Sequence, residues 1–161
     1  MKKQKLYIDT SAVAYLDEQT SPKEMKDMLI LWDKIKQGGY DVILSEITLA
    51  EIYDNLNLEK VKYLAKYLSE IIFDTVRVND EVRKIADLVK NNGMLVSDKH
   101  QNDRLHIGCA VVYGCDILVS LNFKHLVNVR TIKGVRGIAS LGGYSSIDIL
   151  PPAMLIEEGD D

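Results

Sequence analysis

Leu6-Tyr7-Ile8-Asp9-Thr10-Ser11 is the stretch on which the reading of the fold turns: a short apolar run stops at an acid, and two hydroxyl residues follow. A run that is apolar at every position suits a strand covered on both faces, as in a parallel sheet. An acid closing such a strand is a costly place for a charge unless something there uses it. Two later runs have the same form. Val42-Ile43-Leu44 leads through Ser45 into a helical pattern that carries Glu51, and Ile117-Leu118-Val119-Ser120 leads through Leu121 to Asn122.

Helical patterns fill the intervals. Ser21-Pro22-Lys23-Glu24 reads as a capping box with proline at the first helical position. The helix it opens has Met25, Met28, Leu29, Trp32 and Ile35 on one stripe and ends at Gly38-Gly39. Ser45 is placed to cap a helix with Leu49, Ile52, Tyr53 and Leu56 inward, and Asn57 to start another with Val61, Leu64, Ala65 and Leu68 inward. The run from Ile71 through Val78 reads as a third strand. Asp80 to Asn92 is helical with Val82, Ile85, Ala86 and Val89 inward, and Gly93 is its stop. Asp103 opens a helix over Leu105 to Tyr113, another lies near Lys133 to Leu141, and Ser146 to Leu150 is an edge strand stopped by Pro151-Pro152. Strands alternating with helices imply an α/β fold of three layers, a central parallel sheet of about five strands flanked by helices.

Four oxygen-bearing side chains therefore fall where strands end or helices begin: Asp9, Glu51, Asp103 and Asn122. In an open α/β sheet that edge is where ligands bind. Three carboxylates meeting there repel one another unless a hard cation sits among them, which points to a Mg²⁺ or Mn²⁺ site and to phosphoryl chemistry. Each residue also has a plainer role open to it. Glu51 lies off the expected apolar stripe beside Asp54 and Asn55, as a solvated glutamate would; Asp103 could complement a helix dipole; Asn122 could cap the turn into Phe123-Lys124-His125. Thr10 and Ser11 could position a metal-bound water, bond the carboxylate or cap the next turn. His106, one turn beyond Asp103, could reach substrate or a carboxylate, or simply pack in the core.

At 161 residues the chain can bury a core of its own, and no apolar stretch is long enough to span a bilayer. Residues 1–156 read as one domain and Glu157 to Asp161 as a frayed acidic tail. The basic start from Met1 to Lys5 leads into an apolar run that stops at Asp9, unlike a secretory signal, so the expected location is cytoplasmic. Cys109 and Cys115 lack zinc spacing and read as reduced core thiols. The net charge of −4 argues against broad adhesion to nucleic acid, although Lys99, Arg104, Lys124 and His125 crowd the segments around Asp103 and Asn122.

The words Tyr7-Ile8-Asp9-Thr10-Ser11, Thr48-Leu49-Ala50-Glu51-Ile52, Asp103-Arg104-Leu105-His106-Ile107 and Asp116 to His125, in that order and spacing, resemble those of PIN-domain proteins, close to the VapC-type toxin ribonucleases. The resemblance covers nearly the whole chain. It implies a PIN-like fold over residues 1–156, an acidic cluster of Asp9, Glu51 and Asp103, and a fourth position, often aspartate, filled here by Asn122, with Leu121 in place of a tryptophan. The activity it implies is metal-dependent hydrolysis of RNA phosphodiesters. In that scheme Asp9 and Asp103 hold the first ion, Glu51 directs the water, Asn122 contributes to a weaker second site, and Thr10, Ser11, Arg104 and Lys124 contact substrate. A cognate antitoxin and a homodimer are implied partners, with no membrane involved.

Rival readings fit less well. A haloacid-dehalogenase-type phosphatase needs a second acid two residues after Asp9, where Ser11 stands; a receiver domain needs an acid pair there as well, and Asn79-Asp80 is a poor match for its acceptor. No glycine-rich loop follows the first strand, which disfavours a nucleotide-binding fold. The remaining alternative is a PIN scaffold of weak or lost catalysis that binds RNA or protein, a reading that Asn122 favours and three intact carboxylates oppose.

Overall fold

The expected apolar runs pair as strands. In a computed structural model, which describes residues 2–156, β1 (Gln4–Ile8), β2 (Tyr40–Ser45), β3 (Asp74–Val76), β4 (Ile117–Val119) and β5 (Asp148–Leu150) form one sheet in the order β3-β2-β1-β4-β5. Every pairing is parallel. β1 is central, with Leu6 opposite both Val42 and Ile117, and Tyr7 opposite both Ile43 and Leu118.

That register sorts the side chains into two cores, because successive residues of a strand face opposite ways. Leu6, Ile8, Val42, Leu44, Ile117 and Val119 point to one face. There they meet α1 (Thr10–Ala14), α2 (Pro22–Lys36), α3 (Glu46–Tyr53) and α4 (Leu58–Leu68) through residues such as Val13, Trp32, Ile52 and Leu64. Tyr7, Ile43, Leu118 and Ile149 point to the other, against α5 (Asp80–Asn91), α6 (Gln101–Val112) and α7 (Val129–Leu141). The result is a three-layer α/β fold. β1 also marks the switch point, since strands are added outward from it first on the β2 side and then on the β4 side, and crevices open at the carboxyl end of such a point.

The helix starts follow side-chain chemistry. Asn57, Asn79 and Asn128 each accept an amide hydrogen from the third residue of the helix they open, and Ser45 accepts from Ile47 and Thr48. The box expected at Ser21 does not form: its ψ of 70°, against 165° at Ser45, turns the hydroxyl away from the helix amides, and the start rests on Pro22.

Other expectations shift. The third strand is only Asp74–Val76, because Glu70 and Ile71 donate to the last carbonyls of α4 and Ile72 is left 95% exposed. α3 ends at Tyr53 with Thr48 and Ile52 inward, while Tyr53 and Leu56 are exposed; the cap at Ser45 sets this phase, and Thr48 can be buried because its hydroxyl donates to the Ile8 carbonyl. In α2 the buried stripe is Met28, Leu31, Trp32 and Ile35, with Met25 and Leu29 only partly covered. α6 begins at Gln101, after a single tight turn at Asp98–His100, so Asp103 lies within its first turn. α7 begins at Val129 under the Asn128 cap, earlier than the expected Lys133.

Cys109 and Cys115 are free and buried, and burial pushes each thiol up to about 12. Among the described residues no helix is long and apolar enough to cross a membrane. The tail Glu157 to Asp161 lies outside the described residues.

Candidate functional site

Asp9 leaves β1 at the switch point and is 2% exposed. Its Oδ1 accepts the Ala12 amide at 2.9 Å, which caps α1, and the Ser11 hydroxyl at 2.7 Å. Ser11 Oγ also receives the Leu121 amide at 3.1 Å and lies 3.3 Å from Ser120 Oγ, so the carboxylate is tied to the end of β4. No lysine or arginine among the described residues pairs with it. Burial raises the Asp9 pKa, with His106, Ser120, Ser11 and the Ala12 amide acting in the opposite direction. A buried carboxylate left with hydroxyl and amide partners alone is short of positive charge.

Glu51, on α3, comes in from the β2 side. Its Oε1 accepts from Thr10 Oγ1 at 2.8 Å and lies 2.9 Å from His106 Nε2. Three elements thus meet on one oxygen: α1 through Thr10, α3 through Glu51 and α6 through His106. Partial burial alone would raise the Glu51 pKa. The bonds from His106 and Thr10, the His106 charge and a bond from Asn102 together outweigh burial and hold it below the ordinary value.

Asp103, in the first turn of α6, has its Oδ2 3.2 Å from His100 Nδ1. The His100 ring in turn lies 4.1 Å from that of His125, centroid to centroid. The His125 pKa is lowered by desolvation and by the charges of His100 and Lys124, against the opposing effect of Asp103. These imidazoles and Lys124 border a cleft of about 400 Å³ that also takes in Ser97, Asn128 and Arg130. A second cavity, of about 490 Å³ and lined by Lys3, Tyr40 and Asp74, lies at the entry end of the strands and away from the acids.

Several expected roles change on this geometry. Arg104 is 6% exposed and its guanidinium donates to the carbonyls of Leu95 and Ser97, so it braces a loop rather than presenting a charge to substrate. That loop includes Leu95 at φ +50°, a left-handed conformation that such a brace holds in place. Thr10 and Ser11 direct their protons to Glu51 and Asp9, which makes them partners of the acids rather than open substrate contacts. The Asn122 amide oxygen accepts the His125 N–H at 3.1 Å and caps that turn. Asp54 and Asn55 are exposed at the end of α3, and Asn55 bonds the Asn57 amide. Lys124 remains exposed.

The oxygen donors of Asp9, Glu51 and Asp103 suit a hard divalent cation in kind, and the charge-deficient Asp9 gives them a reason to bind one. Among the described residues, however, no three acid, histidine or cysteine side chains are gathered closely enough to hold an ion as they stand. The side chains of Glu51 and Asp103 are both partly exposed.

Tyr7 is the participant that the sequence reading missed. Its hydroxyl lies 2.5 Å from His106 Nδ1, behind the imidazole that touches Glu51. The available signal was a phenol at the centre of an otherwise aliphatic buried strand, since a buried tyrosine hydroxyl needs a partner.

Comparison with known proteins agrees with this fold. The sequence profile of the PIN domain family matches residues 6–128. No protein of curated function matches the chain. Among solved structures, the fold is similar to VapBC2 from Rickettsia felis bound to a DNA fragment from its promoter, at TM-score 0.55 and 13% identity over 92% of this chain and 98% of that one. It is also similar to DNA-bound VapBC from Salmonella typhimurium, at 0.56 and 14% over 92% and 98%. A toxin-antitoxin complex from Klebsiella pneumoniae gives 0.55 and 15% over 78% and 93%. At these identities the likeness is one of fold.

Proposed function

The chain belongs to the PIN domain family, and we propose that it is a Mg²⁺- or Mn²⁺-dependent endoribonuclease, the toxin of a toxin–antitoxin pair. One observation carries the reading: at the carboxyl edge of the central strand a buried carboxylate, Asp9, lacks a cationic partner, while Glu51 and Asp103 reach the same edge from neighbouring helices. Asp9 and Asp103 are the residues that would hold the ion, with Glu51 beside them. A bound divalent cation supplies charge stabilisation to a phosphodiester in the transition state and makes a water molecule more acidic.

The chain's own groups do the rest. Glu51, ionised at neutral pH, can orient an attacking water and accept its proton. Thr10 and His106 both hold its Oε1. Lys124, exposed beside His125, is placed to meet a substrate phosphate. Water attack with departure of the 3′-oxygen leaves 5′-phosphate and 3′-hydroxyl ends.

The partner reading rests on the solved structures of similar fold, which are complexes of toxin with antitoxin or of VapBC with DNA. For this chain we infer a cognate antitoxin that covers the acidic crevice, and a homodimer. A second reading, a PIN scaffold that binds RNA or protein without cutting, is favoured by the ungathered acids and by the engagement of Asn122 in its turn.

Incubation of the purified chain with RNA, in Mn²⁺ or Mg²⁺ with a chelator control, separates the two. Cleavage that requires metal, is lost in Asp103→Asn and yields 5′-phosphate ends supports the nuclease. RNA retention without cleavage supports the scaffold, and 2′,3′-cyclic phosphate ends would show attack by the ribose hydroxyl instead.

A further inference from the structure

The core beneath Glu51 contains a run of hydrogen bonds whose direction can be worked out atom by atom. Ser45 Oγ accepts amide hydrogens from Ile47 at 3.2 Å and Thr48 at 3.3 Å, which occupies both of its lone pairs. It is therefore a donor rather than an acceptor toward its remaining neighbours, the Tyr7 oxygen 2.7 Å away and the Cys109 sulfur. The Tyr7 hydroxyl, accepting there, has its own proton to donate. Thr48 Oγ1, at 3.5 Å, is a distant acceptor, and His106 Nδ1, at 2.5 Å, is the near one. An Nδ1 that accepts carries no hydrogen, so in the neutral ring the proton sits on Nε2. Nε2 faces Glu51 Oε1 at 2.9 Å.

We propose that Ser45, Tyr7 and His106 form a one-way hydrogen-bond chain from the core to Glu51, in which Tyr7 sets the His106 tautomer and His106, as a positioning residue, aims the Glu51 carboxylate into the crevice. The functional half of this rests on the nuclease reading of Glu51; the tautomer half does not.

The geometry gives the chain an evident purpose. The Glu51 side chain is 36% exposed and could adopt several rotamers, whereas the His106 side chain is 3% exposed and wedged edge-on against Tyr7, with ring centroids 5.6 Å apart. Anchoring one carboxylate oxygen on a rigid imidazole leaves a single direction for the other, as an outer partner commonly does for a ligand or base. Thr10, bonding the same oxygen from α1, adds a second restraint.

The test begins with nitrogen-detected NMR of the ¹⁵N-labelled full chain, free of metal and above the imidazole titration range. The expected wild-type signature is a single His106 tautomer protonated on Nε2, and Tyr7→Phe, nearly isosteric, should convert it to a mixture. A wild-type ring protonated on Nδ1, or a Tyr7→Phe spectrum identical to wild type, would overturn the proposal. Neither result requires turnover, so both stand apart from the nuclease reading.

Kinetics then test the aiming. His106→Leu fills the space without a donor and should lower kcat about ten- to hundredfold with little change in KM, a loss typical of removing an outer partner. His106→Gln, whose amide can place a donor where Nε2–H stood, should recover most of it. Equal activity in the leucine and glutamine variants would overturn the positioning role. RNA cleavage absent from the wild type would refute the nuclease reading, and with it the aiming half, while leaving the tautomer result intact.

Discussion

Asp9 concentrates the cost of the site in one side chain. Its folded pKa is raised by burial, so the sign of its effect on stability follows. Below the ordinary aspartate range both folded and unfolded chains hold the proton and nothing is lost. As pH rises, the unfolded chain releases its proton first, stability falls through the interval up to the raised folded pKa, and above that the full cost persists. Asp9→Asn keeps the cap on α1 and removes the charge. In metal-free protein at neutral pH the variant should be more stable by on the order of 1 kcal/mol, or about 2–4 °C in Tm for a chain of this size. Thermal melts across pH should show that advantage vanish in acid, and a variant less stable than wild type at neutral pH would contradict it. Added Mn²⁺ should reverse the order, since it stabilises only the form that binds it. Asp9 itself was legible in the sequence because a charge at the end of a buried run is too costly to stand there unused. Arg104 was not, because nothing in Asp103-Arg104-Leu105 says that the guanidinium turns inward to the Leu95 and Ser97 carbonyls, a pairing across a loop that a local pattern cannot encode.

The junction of α5 and α6 shows what holds these elements together. A Cβ placed on Gly108 would lie 2.6 Å from the Val82 carbonyl oxygen and 3.0 Å from its Cγ1, so the two helices touch there through backbone. Gly108→Ala should therefore destabilise the fold by about 1–3 kcal/mol, overpacking outweighing the gain of about 1 kcal/mol in helix propensity. Urea denaturation reads the difference; a stabilised variant would mean that the helices can part at little cost. As α6 carries both Asp103 and His106, the same substitution should weaken metal binding. The helices themselves were readable from apolar spacing, and the starts of α3 and α4 from the caps at Ser45 and Asn57, whereas the caps at Asn79 and Asn128 went unread. What failed was phase and extent. α3 turned Thr48 inward because a buried hydroxyl could find the Ile8 carbonyl, and Ile71 closed α4 while Ile72 and Phe73 stayed outside the sheet. Neither outcome is written in the local apolar pattern, since each depends on which backbone groups the folded chain brings within reach.

At the scale of the molecule, the parallel pairing follows from the helical connections, and the strand order makes the carboxyl end of β1, where Asp9 stands, the switch point. The acid at the end of that buried run was visible in the sequence. The polar chain behind Glu51 was not, because Tyr7, Ser45 and His106 meet only once β1, β2 and α6 have stacked. The central claim is that this edge binds a divalent cation through Asp9 and Asp103, and calorimetric titration of Mn²⁺ into metal-free protein tests it most directly. Saturable binding in the wild type, lost in Asp9→Asn and Asp103→Asn, is the predicted result. No binding by the wild type, or equal binding by wild type and Asp9→Asn, would contradict it.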